Sequence, residues 1–513
     1  MRLDFRSIPR FKFNCICRHL QPKQIIELIL SDEETLDQIQ CFINYFPDFK
    51  YQFNRLQTLE LNDMNTILLD LPISVSSLSF QAYKSTLKNL IRQTIKRQAA
   101  SLTHLDVEDI NLLRSLDTPF HALTHLTTSC QSFIEFNWII SLLGARISHL
   151  HLVVGDYYIG EMMVPNLIAL RRSLTHLTLI FTDSHLLTFN LLEQCLFRLD
   201  HLIHFTIDAR IKDFQNLMNG NRLEQLISQT RIIEFNFRFK YNFSNLIIPK
   251  SDENMLFNSF RSLFWLEQKR WFVAFYKEIT NSNLIIYSIP YFRPHHVFLS
   301  PTSTYPPLST APPSVVQHSF YKKQIDLDLK FPQSITPSVY RFNQVNSLCL
   351  LGPVLPSTRT LMSFVNLHQI RKLDVSNINL VLLVELHLIF NETPRLYDLI
   401  LKTIDPLLVL PERIHSFKLN NDSQLIDVNQ FCSIVSHIKH LQITIDSEAV
   451  MIVLINRLVY LESIIFRLNN LRESKKFSSE WFQQNINRLK SNNFTCHITN
   501  GYITLFIDNS RRL

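Results

Sequence analysis

Residues 171–180 read RRSLTHLTLI, and the six letters LTHLTL at their centre begin at Leu174. Close copies of these letters begin at Leu102 (LTHLDV) and at Leu123 (LTHLTT). The fourth and sixth letters are apolar and stand two positions apart, so they point to one side of a strand, while the residues between them point to the other. The repetition predicts that similar half-buried strands recur along the chain.

The pattern L-x-x-L-x-L recurs at intervals of mostly 20–30 residues. The copies begin at Leu56, Val75, Leu102, Leu123, Ile147, Leu174, Leu202, Ile232, Val345, Ile370, Leu396, Ile414, Ile438 and Leu461. This period is the signature of leucine-rich repeats, in which no single repeat buries its leucines and neighbours must stack. We therefore expect an α/β fold, a leucine-rich-repeat solenoid or horseshoe, with parallel strands on its concave side and helices on its convex side.

Stretches of helical length and amphipathic spacing lie between the strand cores, for example at residues 133–143, 186–199 and 214–227. An ordinary α/β domain also has leucine-rich strands. It does not explain why the same spacing of apolar residues is found in all of these cores. The asparagine that usually follows such a core is mostly absent. The repeats are therefore degenerate.

The periodicity is lost between residues 240 and 340. There the sequence predicts a helix at 257–267, a hairpin of strands 271–279 and 284–292, and a Pro-rich loop at 300–315. We favour an insertion on one continuous horseshoe over a boundary between two arcs. The predicted segments are an N-terminal element or first repeat (1–50), a first arc (51–240), the inserted hairpin and linker (241–340), and a second arc with a C-terminal cap (341–513). Within the cap, the sequence predicts a hairpin of strands 495–498 and 502–507 around Asn500-Gly501.

Composition excludes several functional classes. The chain has 513 residues, 46% of them hydrophobic, which is enough for a large core. It has only 6 glycines, and no phosphate-binding glycine loop, nucleophile motif or paired metal-binding motif occurs. We expect no enzyme activity, no cofactor and no metal. The net charge of +7 comes without a dense Lys/Arg block, so we do not expect a nucleic-acid partner.

The sequence also indicates the cellular compartment of the protein. No run of 18 apolar residues and no secretory leader is visible, so we expect no membrane partner. The 8 cysteines are scattered, which fits free thiols in a reducing compartment. We expect a cytoplasmic or nuclear protein.

Polar residues of the repeat core are the candidate binding residues. The third and fifth letters of each core should point to the concave face, where strands about 4.8 Å apart would align them in rows. In the first arc these letters give His104, Asp106, His125, His149, His151, His176 and His204; in the second they give Lys372, Asp374, Asp398, Lys418 and His440. Two interpretations of the histidine row stay open. Histidine is either a residue inherited with the repeat and tolerated on a half-exposed strand, or part of a recognition strip that responds to pH. The mixed charges of the second arc suit a protein partner.

The chain resembles the F-box-associated leucine-rich-repeat proteins. The likeness is carried by LTHLTL, by SFRSLFWLEQKRWFV (259–273) followed by LIIYSIPY (284–291), and by IRKLDV (370–375). In that family an amino-terminal F-box docks on an adaptor of a cullin-type ubiquitin ligase, and the repeats present substrate. The resemblance implies a substrate-receptor body whose ligand is an unknown protein.

The opening residues depart from the family plan. An F-box usually begins with Leu-Pro and an acidic residue, whereas this chain begins MRLDFRSIPRFKF. A cullin-ligase adaptor is therefore expected as a partner only if an F-box lies upstream. The alternative is a repeat scaffold for protein–protein interaction without ligase coupling.

Overall fold

The computed structural model describes residues 1–6, 8, 10–32, 38–63, 71–72, 74–81, 85–114, 120–131, 135, 137, 140, 146–155, 167–182, 186–211, 214–242, 250–278, 283–289, 291–292, 297–299, 308–316, 326–330, 342–420, 427–468, 477–489, 494–499 and 502–507. They divide between two compact units. The first comprises residues 1–292 with 307–311, and the second comprises 293–306 with 312–513.

The first unit is built on a sheet of fourteen described strands, called sheet 1. Its strands are β1 (Arg2–Asp4), β2 (Glu27–Ser31), β3 (Thr58–Asn62), β4 (Ser77–Gln81), β5 (His104–Val107), β6 (His125–Cys130), β7 (His149–Val154), β8 (His176–Phe181), β9 (Leu186–Leu187), β10 (His204–Ile211), β11 (Glu234–Asn242), β12 (Phe272–Glu278), β13 (Asn283–Ile289) and β15 (Leu308–Ser309). Strands β1 to β8, β10 and β11 lie side by side and pair in parallel. An antiparallel edge, β13-β12-β15, follows β11.

Helices connect these strands. They are α1 (Arg10–His19), α2 (Gln38–Tyr45), α3 (Phe49–Gln52), α4 (Lys88–Gln98), α5 (Phe189–Leu196), α6 (Phe214–Leu217), α7 (Gly220–Ser228) and α8 (Lys250–Ser259), with 3-10 turns at Pro22–Gln24, Ser85–Leu87, Ile110–Leu112 and Leu167–Leu170 and a π-helical turn at Phe264–Gln268. Their apolar residues join those of the strands in one hydrophobic core.

The second unit is built on sheet 2, which has ten described strands. They are β14 (Val297–Leu299), β16 (Asp326–Lys330), β17 (Ser347–Val354), β18 (Lys372–Leu380), β19 (Asp398–Leu401), β20 (Ser416–Leu419), β21 (His440–Ile445), β22 (Ser463–Leu468), β23 (Phe494–Thr499) and β24 (Tyr502–Ile507). The helices are α9 (Pro313–Val316), α10 (Thr358–Phe364), α11 (Leu383–Glu392), α12 (Val428–Ile434), α13 (Glu448–Arg457) and α14 (Ser479–Asn485), with 3-10 turns at Leu367–Gln369 and Asn487–Leu489. Strands β14 and β16 to β22 pair in parallel, and the hairpin β23–β24 covers β22 in antiparallel fashion.

The apolar residue at the fourth letter of each repeat core is buried. In sheet 1 Leu105, Leu126, Leu150 and Leu177 lie in register on adjacent strands and are at most 2% exposed. Burying such a side chain contributes about 1.5–3 kcal/mol. Because side chains alternate along a strand, every polar neighbour of these leucines lies on the opposite face.

Side-chain caps define where several connecting helices begin. Asn219 Oδ1 accepts hydrogen bonds from the backbone N–H groups of Asn221 and Arg222 at the start of α7. Thr188, Ser357, Asp427, Ser447 and Ser478 cap other helices in the same way. Each such bond satisfies a backbone donor that the first helical turn leaves without a partner.

The α/β class with long parallel sheets is confirmed. Both predicted hairpins are present as β12–β13 and β23–β24. The helix predicted over 214–227 is two helices, because Asn219 caps a new helix at Gly220. The helix predicted over 257–267 is instead α8, which ends at Ser259, followed by the π-helical turn. The predicted helix over 133–143 lies largely outside the described residues.

The segment 241–340 contributes to both units. Its hairpin pairs with β11 at the edge of sheet 1, while β14 and β16 belong to sheet 2. Residues 300–307 of the Pro-rich stretch lie outside the described part of the chain. The division into 1–50, 51–240, 241–340 and 341–513 stays a prediction.

Candidate functional site

The five histidines at the third letter of the repeat core form one row across sheet 1. His104, His125, His149, His176 and His204 are the first residues of β5, β6, β7, β8 and β10, and they pair in register. Their rings are stacked almost parallel, with successive centroids 3.9, 4.0, 3.9 and 4.2 Å apart. We call this row the histidine ladder.

A hydroxyl on the preceding residue holds each of the first four rings. The oxygens of Thr103, Thr124, Ser148 and Thr175 lie 2.8–2.9 Å from the Nδ1 atom of the following histidine. Each hydroxyl also lies 3.1–3.2 Å from a backbone carbonyl of the neighbouring repeat. The ring orientation is therefore fixed from one strand to the next.

Carboxylates lie at both ends of the ladder. Nδ1 of His204 is 2.9 Å from an oxygen of Glu234, which begins β11. At the other end, two residues after His104, Asp106 accepts hydrogen bonds from Ser79 and Gln81. The fifth letters of the cores form a second row beside the ladder, and His151 lies in this row together with Asp106.

The surroundings favour neutral imidazoles. Partial burial lowers the pKa of His104 and His151. Burial, and then the charge that neighbouring ladder histidines would carry, lowers the pKa of His125, His149 and His176. Glu234 opposes this at His176 and Asp106 opposes it at His151, without reversing the direction. The first four rings of the ladder, His104, His125, His149 and His176, are therefore mainly uncharged at neutral pH.

In sheet 2 the predicted residues occupy two rows. Lys372, Asp398 and His440 lie in the first row, which continues through Ser416 and Ser463. Lys372 Nζ is 3.8 Å from a carboxylate oxygen of Asp398. Ser416 donates to Asp398, and His440 Nδ1 is 2.8 Å from the Ser463 hydroxyl.

The second row of sheet 2 contains the remaining two predicted residues. Asp374 accepts hydrogen bonds from the backbone and hydroxyl of Ser376. Ile400 lies between Asp374 and Lys418 in the register, so these two charges do not meet. The face combines both signs of charge at separate positions, as a protein-binding surface commonly does.

The structure brings in polar groups that the sequence reasoning missed. These are the hydroxyls of residues 103, 124, 148 and 175 and the carboxylate of Glu234. The hydroxyls could have been predicted from the sequence, because a Thr or Ser precedes the histidine in four successive cores. Glu234 could also have been predicted, because it is the third letter of the core at Ile232, which follows the core that contains His204.

In the described part of the chain, His, Cys, Asp and Glu side chains do not gather in groups of three that could hold a metal ion. The described helices all lack the length and apolar character needed to cross a bilayer.

Comparisons with known proteins identify no family. No protein-family model matches the chain, and no curated protein matches it in sequence. Among solved structures, a match is found to a chain in the crystal structure of a TLR13–ssRNA13 complex, with 12% sequence identity and a TM-score of 0.29. The match covers 87% of this chain and 66% of the other, so this chain spans slightly less than two thirds of that protein's length. A likeness this weak carries no argument about function.

Proposed function

We propose that this protein is a non-enzymatic recognition module that binds another protein through the polar faces of sheets 1 and 2. The observation that carries the proposal is the register. The predicted residues alternate along their strands with buried apolar residues, so their side chains share the face opposite the apolar core of their own sheet, which supports the proposal. A wide face of fixed polar side chains is suited to contact with a large partner rather than with a small molecule.

Repeat architecture supports the same proposal. In a leucine-rich-repeat solenoid the parallel strands line the concave side, where a partner is held, and helices cover the other side. We propose this arrangement for each parallel array. The leucine period and the parallel ladders support it.

A pair of charges in β18 provides the first test. We expect the double substitution Lys372→Ala/Asp374→Ala to weaken partner binding at least about tenfold, because it removes two separate polar anchors. The partner is first captured from cells with the full chain and identified, and its affinity is then measured with purified proteins. Both residues are only half-buried, so the Tm should change little.

A matched control variant removes one basic and one acidic side chain outside the proposed binding face. Arg359→Ala/Glu412→Ala changes two exposed residues outside the strands, one in α10 and one in a loop. This variant should bind the partner like the wild type. If the partner binds the wild type and the Lys372/Asp374 variant with equal affinity, the binding site does not include these residues of sheet 2.

Coupling to a ubiquitin ligase is the finer form of the proposal. Its support is the resemblance to F-box-associated leucine-rich-repeat proteins in residues 259–273 and 370–375. If the coupling exists, affinity capture of the protein as expressed in its own cells should recover a cullin adaptor together with the partner. Recovery of the partner without an adaptor favours the scaffold without ligase coupling.

A further inference from the structure

The outer edge of the histidine ladder offers a row of free nitrogen atoms. Nδ1 of each ladder ring is held by a hydroxyl or by Glu234. Within the described part of the chain, Nε2 of these five rings makes no hydrogen bond. Five equivalent nitrogens therefore remain available, about 4 Å apart, over a span that about five residues of extended peptide would cover.

The hydroxyls decide what these nitrogens can do. A hydroxyl has one proton, which it donates either to the neighbouring carbonyl or to Nδ1. When Thr124 donates to the carbonyl of Thr103, Nδ1 of His125 carries the ring proton and Nε2 is an acceptor. The same choice exists at His104, His149 and His176. A partner that supplies N–H donors selects this arrangement without moving a heavy atom.

Charge around the ladder also favours a donor. The ladder row and the row next to it, from β1 to β11, hold five carboxylates and one guanidinium, that of Arg2. The carboxylates are those of Asp4, Glu27, Glu60, Asp106 and Glu234.

Two of these carboxylates have no cationic partner other than histidine among the residues that the structure describes. Asp4 and Glu60 contact Arg6, and Glu27 contacts Arg2. Among described residues, Asp106 and Glu234 form no ion pair with Lys or Arg, and they bracket the ladder. The Asn236 amide is the largest of the influences that lower the pKa of Glu234, so this carboxylate is ionised at neutral pH.

We propose that the histidine ladder is a docking strip for a basic, Lys/Arg-rich segment of a protein partner, and that acidification releases this segment. The inference rests on the proposed function and deepens it by naming the charge of the partner. Lysine and arginine side chains would donate to the Nε2 atoms, and the ends of the segment would meet Asp106 and Glu234.

Proton uptake by the rings reverses their interaction with the basic segment. Protonation at Nε2 turns an acceptor into a charged donor, while the Nδ1–H to hydroxyl bond stays intact. The groups that face the rings are the neighbouring ladder rings, His151, Asp106 and Glu234, with the Asp208–Arg238 ion pair further along β10 and β11. The lowered pKa values keep His104, His125, His149 and His176 neutral, and therefore able to accept, down to below about pH 6.5.

An acidic segment or a nucleic acid does not fit the neutral strip as well. Either one would place its negative charges against Asp106 and Glu234 and would find uncharged rings between them. Both remain outcomes of the experiment that follows.

The test measures fluorescence anisotropy of labelled probes with the purified full chain. The probes are hexalysine, hexaglutamate and a six-nucleotide oligouridylate, each at about pH 7.5 and about pH 5.5. We expect hexalysine to bind most tightly of the three at the higher pH and to lose at least about tenfold in affinity at the lower pH. Tighter binding of hexaglutamate or of oligouridylate at the higher pH, or hexalysine affinity that is independent of pH, would overturn the proposal.

Substitutions locate the effect. His125→Gln/His149→Gln/His176→Gln keeps polar side chains that do not titrate, so hexalysine should bind but its affinity should fall much less on acidification, because only two of the five ladder imidazoles remain. The control is His201→Gln/His368→Gln/His415→Gln, which removes three exposed histidines outside the ladder and should respond to pH like the wild type. An unchanged pH response in the ladder variant would contradict the proposal.

A second variant leaves the stacked rings in place. Asp106→Asn/Glu234→Gln should weaken hexalysine binding at least about fivefold at the higher pH while the pH response persists. Unchanged affinity in this variant, with circular dichroism like the wild type, would overturn the proposed orientation. These probes do not involve sheet 2, so a negative result would leave the Lys372/Asp374 test of the proposed function standing.

Discussion

At the scale of single residues, the dipeptide Thr-His or Ser-His does more than fill a repeat position. The histidine lies on the polar face of its strand, and the hydroxyl before it contacts both the ring and the preceding repeat. One pair of letters therefore sets the position and the orientation of an imidazole. The identity of the ladder residues could be predicted from the third letter of the core, but the ring contacts depend on the distance between strands.

Gly220 is a residue whose side chain is limited by its neighbours. A Cβ atom there would lie 2.5 Å from the backbone oxygen of Ser259 and 2.9 Å from Phe260. We expect Gly220→Ala to destabilise the first unit by about 1–3 kcal/mol through overpacking. Urea denaturation measures this free energy of unfolding.

Gly155 supplies the control for that substitution. Its added Cβ would lie 3.4 Å from the nearest atom, the carbonyl oxygen of Cys130, which is an ordinary contact. Gly155→Ala should change the free energy of unfolding by less than about 0.5 kcal/mol. Equal losses in the two variants would show that the packing of Ser259 against Gly220 is not the cause.

Arg488 is a buried cation that the sequence did not single out. Its guanidinium donates to the carbonyl oxygens of Ile455, Leu458, Val459 and Leu461, around the end of α13. A cation at a helix C-terminus is also favoured by the helix dipole. Sequence pattern missed it because Arg in a polar stretch is usually exposed.

We expect Arg488→Met to destabilise the second unit by at least about 3 kcal/mol, since each buried acceptor left without a donor costs about 1–3 kcal/mol. Chemical denaturation measures the change. Arg395→Met is the control, because Arg395 is exposed and donates only to the Gln369 side chain among described groups. A loss in Arg488→Met no larger than in the control would contradict the assigned role.

At the scale of elements, the ladder links stability to pH. The folded-state pKa values of His104, His125, His149 and His176 lie below the ordinary value of 6.5. The unfolded chain therefore binds protons that the folded ladder resists, and stability rises with pH in that range. The contribution is complete above about pH 6.5 and is lost as pH falls through the lowered values.

Thermal unfolding across this pH range tests the linkage. The Tm of the wild type should fall more steeply on acidification than the Tm of His125→Gln/His149→Gln/His176→Gln. The variant with three substitutions at His201, His368 and His415 should follow the wild type, because those rings are exposed and lie outside the stack. Parallel Tm curves for the wild type and the ladder variant would exclude the linkage.

Strands were predictable to a greater extent than helices. Alternation of apolar and polar letters marks a strand with a period of two, and the six-letter cores align with β3 to β8, β10, β11 and β17 to β22. Helix ends depend on caps such as Asn219, which divides a continuous amphipathic stretch. The turn at Phe264–Gln268 is π-helical around the buried Trp265, and amphipathic spacing carries no signal for that geometry.

At the scale of the whole molecule, the leucine period accounts for long parallel arrays in each of the two units. Both arrays end in an antiparallel hairpin, β12–β13 beside β11 and β23–β24 beside β22. Local turn residues predicted both hairpins. The partition into units was harder to predict, because strand pairing across the irregular segment 241–340 leaves no periodic signal.

The most direct test of the central claim is a disulfide cross-link between adjacent ladder positions. His125 and His149 are paired Cα partners on parallel strands, about 4.8 Å apart, within the range of about 4.4–6.8 Å that a disulfide spans. Oxidised His125→Cys/His149→Cys should yield the cross-linked peptide in mass spectrometry. His125→Cys/His176→Cys, two strands apart, should yield none. Absence of the first cross-link from folded protein, or equal yields of both, would contradict the stacked parallel register.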